Sequence, residues 1–122
     1  MSTNALSLPA SKGRRISVTG LSVLVAAVFL LAGTTKLYGT EKMVEMFTKI
    51  GFGQWFRYLT GSLEIIGGIG LLTRRYAFYA ALLLVPVMVG AVITHLAVIG
   101  GNPAAAIVLL VLSATIAYLR KP

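Results

Sequence analysis

The sequence predicts an all-α protein: a four-transmembrane-helix bundle with a short amphipathic interfacial helix between helices 1 and 2. Three observations lead there. Of the 122 residues, 57% are hydrophobic and 11% charged, with a mean hydropathy of +0.90, whereas about a quarter of a soluble domain is charged. The apolar residues fall into four runs, 16–38, 56–73, 76–99 and 104–119, each close to or above the length of roughly 17–25 residues that spans a bilayer as a helix. The basic residues behind the net charge of +8 flank these runs and form no stripe along them. That is the arrangement of membrane topology signals, and it argues against a nucleic-acid-binding face.

Residues 1–15 are polar and end on Lys12, Arg14 and Arg15. They read as a disordered cytoplasmic tail outside a transmembrane domain of 16–122. The run 16–38 is long enough to span at about 1.5 Å per residue. A cleaved signal peptide is the competing reading, but the run is long for one and Ala32-Gly33-Thr34 is not a clean A-x-A site. In the loop 39–54, GTEKMVEMFTKIGFGQ, Met43, Phe47 and Ile50 recur at helical spacing, with Glu41, Lys42, Glu45 and Lys49 mostly opposite. This pattern predicts an amphipathic helix on the membrane surface, ended by Gly51. It serves as a connector or as a lid over one end of the bundle.

The second span, 56–73, leads into a basic turn at Arg74-Arg75, and the third, 76–99, contains Pro86 as an expected kink. In the turn 100–103, Asn102 is placed to cap the fourth span and Pro103 to be its first helical residue. Lys12, Arg14, Arg15, Arg74, Arg75, Arg120 and Lys121 fall on one side of this topology. Lys36, Lys42, Lys49 and Arg57, offset by Glu41 and Glu45, fall on the other. The positive-inside rule then predicts both termini in the cytoplasm.

Three ionisable residues lie inside the spans. A lone Glu at a helix centre costs roughly 2.5–3.5 kcal/mol on insertion scales. Glu64 therefore calls for a partner. It sits about seven residues, roughly 10 Å, into the second span. Lys36 is near the end of the first span on the same side, and His95 is about five residues, roughly 7 Å, short of the end of the third. Small residues lie close to each: Gly33 near Lys36, Gly61, Gly67 and Gly68 near Glu64, and Ala91 before His95. Such residues mark close helix contacts in membranes, which would bring Lys36, Glu64 and His95 together, with His95 able to bond the carboxylate. The cluster reads either as an ion pair that fixes helix register or as a ligand or proton site.

The chain has no cysteine and one histidine, which removes thiol chemistry and iron–sulfur ligation from its repertoire. No metal-ligand spacing is present. The glycines Gly67, Gly68 and Gly70 lie in an apolar run with no strand before it, so they are packing glycines and not a nucleotide loop.

The segments FLLAGTTKLYG (29–39), FTKIGF (47–52), LTGSLEIIGGIGLLTRR (59–75) and VPVMVGAVITH (85–95), in this order and spacing, resemble the DoxX family of small four-helix membrane proteins. The resemblance runs from about residue 16 to the C-terminus. It implies a multi-pass protein of the bacterial inner membrane and a link to membrane redox or quinone systems. Distantly similar proteins act as assembly chaperones. Three functions follow as expectations. The first is an accessory subunit of a quinone-linked redox system, with quinone as ligand and a redox protein as partner. The second is a non-enzymatic assembly or interaction module, and the third a proton-coupled transporter. The expected surroundings are the lipid bilayer, a membrane partner or a second copy of the chain, and no nucleic acid.

Overall fold

The computed structural model describes residues 2–100 and 102–122, and the side chains from Lys12 on with the exception of Ile99 and residue 101. Among the described residues the chain is helical, with no strand. Its elements are α1 (Ser2–Tyr38), α2 (Glu41–Ile50), α3 (Gln54–Leu71), α4 (Ala77–Thr94) running on into a π-helical turn (His95–Ile99), and α5 (Ala104–Arg120).

Two stretches, Lys12–Tyr38 and Ala77–Val98, are long and apolar enough to cross a membrane, and α5 is a shorter apolar helix. All four long helices show large apolar side chains on the outside, among them Leu24, Leu31, Ile66, Ile69, Leu82, Ile93, Val108 and Val111. An outer surface of this kind suits lipid and not water. α1 is helical from Ser2, where composition predicts a disordered tail over 1–15. Once a stable downstream helix supplies the nucleus, each added residue gains a hydrogen bond without a further nucleation cost.

The loop 39–54 forms α2 in the expected place. Thr40 caps it, its hydroxyl accepting from the Met43 N–H at 3.4 Å. Gly51 ends it with φ +86, its N–H donating to Phe47 C=O at 3.3 Å. A left-handed residue at this position is the usual glycine stop. The start of α5 differs by one residue from expectation. Pro103 is the capping residue, its C=O taking the Ile107 N–H at 2.9 Å, while the Asn102 side chain accepts from Ala104 N–H at 2.9 Å. Asn102 still satisfies an orphan donor, from one position earlier.

α1 packs on α3, α3 on α4, α4 on α5 and α5 on α1, closing a ring of four helices. α2 lies across α3 and the π-helical turn. The apolar core, with Val25, Phe29, Leu71, Leu84 and Ile116 almost fully buried, is concentrated toward the end where α3 finishes and α4 begins. Gly67 packs there against Leu84, and Gly70 against Ala80, where an added Cβ would come within 2.6 and 2.7 Å of the neighbouring side chain. The opposite half, beneath α2, holds the buried charged residues Arg57 and Glu64.

Candidate functional site

Two glycines set the site. An added Cβ on Gly33 would stand 2.7 Å from the Gly61 carbonyl, and one on Gly61 would stand 3.0 Å from Lys36 Cβ. Only hydrogen fits at both positions, so α1 and α3 meet backbone to backbone, as small-residue contacts allow in membranes. Gly68 continues the seam one turn beyond Glu64, against Leu30 and the Ala26 carbonyl. Lys36 is thereby laid against α3, one helical turn from Glu64. Its Nζ lies 2.8 Å from Glu64 Oε1, with the side chains 15% and 3% exposed. Pairing offsets the burial of each charge, and neither could be removed without stranding the other.

Arg57 is the cluster member that sequence reasoning assigns elsewhere, as one of the topology-setting basic residues. It is 5% exposed. Its Nη1 donates to the Lys36 carbonyl, its Nε donates to Gln54 Oε1 at 2.7 Å, and its guanidinium lies 4.4 Å from the Tyr58 ring centre. The Gln54 amide in turn donates to Val44 C=O at 3.3 Å and to the Thr48 hydroxyl at 3.1 Å. A continuous chain of hydrogen bonds therefore joins the last turn of α1, the first turn of α3 and the body of α2. Gly39, at φ +80, ends α1 directly beside this guanidinium, where an added Cβ would stand 3.0 Å from Arg57 Nη1. The signal for Arg57 is its spacing. It precedes Glu64 by seven residues and so shares its helical face.

His95 sits at the start of the π-helical turn, and its Nδ1 is 2.9 Å from the Ala91 carbonyl. The sequence allows an imidazole–carboxylate bond to Glu64. The ring instead engages its own helix, because the carbonyl one turn back lies within reach of a helical side chain and has a lone pair to spare. The Ala91 carbonyl thus serves as His95's acceptor, and Ala91 itself is half-buried on the cavity wall and packs against the core. Among the described residues, no three His, Cys, Asp or Glu side chains gather to hold a metal.

What unites Lys36, Glu64 and His95 is a cavity of about 400 Å³ that all three line. It lies between α3 and α4 beyond the Gly67–Leu84 contact, with Pro86 and Met88 on its α4 side. α2 roofs it with Met46, Phe47 and Ile50. Phe56 stacks obliquely on Phe47 and edge-on to Phe52, with ring centres 6.0 and 5.4 Å apart, so the roof is aromatic. Leu59, Gly90 and Ile93 line the cavity and are also exposed on the outside of the bundle. They form an apolar mouth between α3 and α4. An added Cβ on Gly90 would meet nothing within 4 Å. The result is an apolar chamber with one ion pair and one imidazole in its walls, of the size, roughly 300–1,000 Å³, that takes small molecules.

Comparison with known proteins gives two findings. The model of a family described as DoxX-like matches residues 20–118. A Bacillus subtilis (strain 168) protein named "Putative oxidoreductase CatD" is 32% identical over 88 residues, which cover 69% of this chain and 63% of that protein. The chain thus aligns with a little under two thirds of that relative's length. No solved structure matches. The family match begins at Gly20 in α1, ends at Tyr118 in α5 and takes in every residue of the polar cluster, and the chain therefore belongs to the DoxX-like family.

Proposed function

We propose that this membrane protein is an accessory component of a membrane redox system and that its cavity takes the ring of a lipid-soluble quinone. The reading includes residence in the bacterial inner membrane with both termini cytoplasmic. The observation that carries it is the chamber itself: apolar and aromatic walls, an apolar mouth between two helices, and Lys36, Glu64 and His95 at its lining. A quinone ring is flat and apolar with two carbonyl oxygens, so it suits aromatic walls that offer a few donors. The Lys36 ammonium is the group to stabilise negative charge on a ring oxygen, and the His95 imidazole is the group to hold or give a proton. Bound quinone would supply the two-electron chemistry. With no cysteine and one histidine in the chain, the electrons come from a partner protein. The oxidoreductase name of the Bacillus relative points the same way.

The test is to purify the protein in native-lipid particles, identify quinone in the extract, and titrate decyl-ubiquinone against the wild type and Glu64→Gln. Copurified quinone and weaker binding by the variant support the proposal. No quinone and no binding, together with a stoichiometric protein partner, would favour the assembly reading in its place.

A further inference from the structure

We infer that His95 is the proton port of the cavity, exchanging protons between it and the water of a second, polar cleft. This deepens the quinone reading and rests on it only for what finally accepts the proton. The second cleft, of about 330 Å³, lies at the same end of the bundle and is lined by Lys42, Glu45 and Lys49 of α2 and by Asn102 before α5. All four residues are exposed, so the cleft is open to water. It shares two lining residues with the apolar cavity, Met46 and His95. A thioether carries no exchangeable proton. Among the described residues, His95 is thus the one titratable side chain that fronts both chambers.

The ring is held in a fixed sense. The backbone N–H and the Nδ1 of His95 both engage the Ala91 carbonyl. A carbonyl only accepts, so Nδ1 carries the hydrogen of the neutral ring and Nε2 keeps its lone pair. Nε2 makes no hydrogen bond to another described residue. In the port, Nε2 takes a proton from hydronium in the cleft, leaving water and an imidazolium. It would then return that proton to an anionic ring oxygen of a reduced quinone in the cavity, leaving a hydroxyl and the neutral imidazole. The π-helical turn that begins at His95 is a geometry often found at functional sites.

The other two ionisable groups of the cavity, Lys36 and Glu64, are engaged with each other. The mouth formed by Leu59, Gly90 and Ile93 is apolar and suits lipid, and the Glu64 side chain is buried and paired with Lys36. The charges that bear on the imidazole come from several elements. Lys42 and Lys49 on α2 and Lys36 on α1 disfavour the imidazolium. Glu45 on α2 and Glu64 on α3 favour it, and the loop before α5 brings the neutral Asn102.

The chain has a single histidine, so isotopically labelled histidine in lipid nanodiscs reports His95 alone. The expected result is an Nδ1–H tautomer whose resonances convert to those of the imidazolium as the cleft is acidified. The double change Lys42→Glu, Lys49→Glu should raise the midpoint by a few tenths of a pH unit, and Glu45→Gln should lower it. Xenon, which enters dry apolar cavities, should shift the same imidazole resonances, and Gly90→Phe should abolish that shift. Resonances that ignore pH, or that titrate but ignore xenon, overturn the port. Responses to pH and xenon without one to decyl-ubiquinone leave the port standing and overturn the quinone reading. A response to decyl-ubiquinone without one to pH keeps the ligand site and overturns the port.

Discussion

The Lys36 ammonium meets the Glu64 carboxylate at 2.8 Å, and the two are not equally buried: the lysine side chain is 15% exposed and the glutamate 3%. The lysine, in the last turn of α1, keeps a path toward the bundle end, whereas the glutamate has none. Removing either partner therefore has unequal consequences.

Lys36→Met should be the more damaging change, because it strands a charge or forces its neutralisation inside the bundle, at a cost of about 3–5 kcal/mol. Glu64→Gln should cost less, since the amide can still accept from the ammonium. The double change Lys36→Met, Glu64→Met should recover much of the loss of Lys36→Met alone. Reversible unfolding of the purified variants in detergent measures all three, and equal losses for the two single changes would contradict the asymmetry.

The glycines separate in the same assay. Gly33→Ala drives a methyl group against the Gly61 carbonyl and Ile65 and should destabilise by about 1–3 kcal/mol. Gly90→Ala adds the same methyl group in open space. It should be neutral or stabilise by up to about 1 kcal/mol through helix propensity.

Arg57→Lys should not preserve function at that position. A lysine ammonium cannot reach the Lys36 carbonyl and Gln54 while stacking on Tyr58 as the planar guanidinium does. The lost buried bonds should cost about 1–3 kcal/mol. Gln54→Ala removes the acceptor of Arg57 Nε together with the branch to Val44 and Thr48, and leaves the Arg57 bond to the Lys36 carbonyl in place. Amide hydrogen exchange should accordingly quicken across α2 and stay unchanged in α3 beyond its first turn.

These predictions show which parts of the molecule are legible in the sequence. Run length, glycine stops and the amphipathic spacing of Met43, Phe47 and Ile50 are local signals, and the helices follow them to within a residue or two at most ends. The Lys36–Glu64 contact is legible because depth along two antiparallel helices matches two opposite charges. Arg57 is hidden by its chemistry, because a basic residue beside an aromatic cluster reads as a topology signal until tertiary packing closes over it. His95 reads as a partner for Glu64 because small residues precede it, but the nearer Ala91 carbonyl captures the ring. The cavity has no local signature. It arises from two helices held together at Gly67–Leu84 and roofed farther along by a third, and no short segment encodes that.

The most direct measurement of the cavity as a quinone site uses Trp55, the single tryptophan, whose ring lies 5.7 Å from that of the cavity-lining Phe56. Decyl-ubiquinone titrated into nanodiscs should quench Trp55 saturably in the wild type. Gly90→Phe, which adds a ring at the mouth where a Cβ has open space, should weaken that binding at least about tenfold, a loss of about 1.4 kcal/mol. Quenching that does not saturate, or that is the same in wild type and Gly90→Phe, would contradict a quinone site in this chamber.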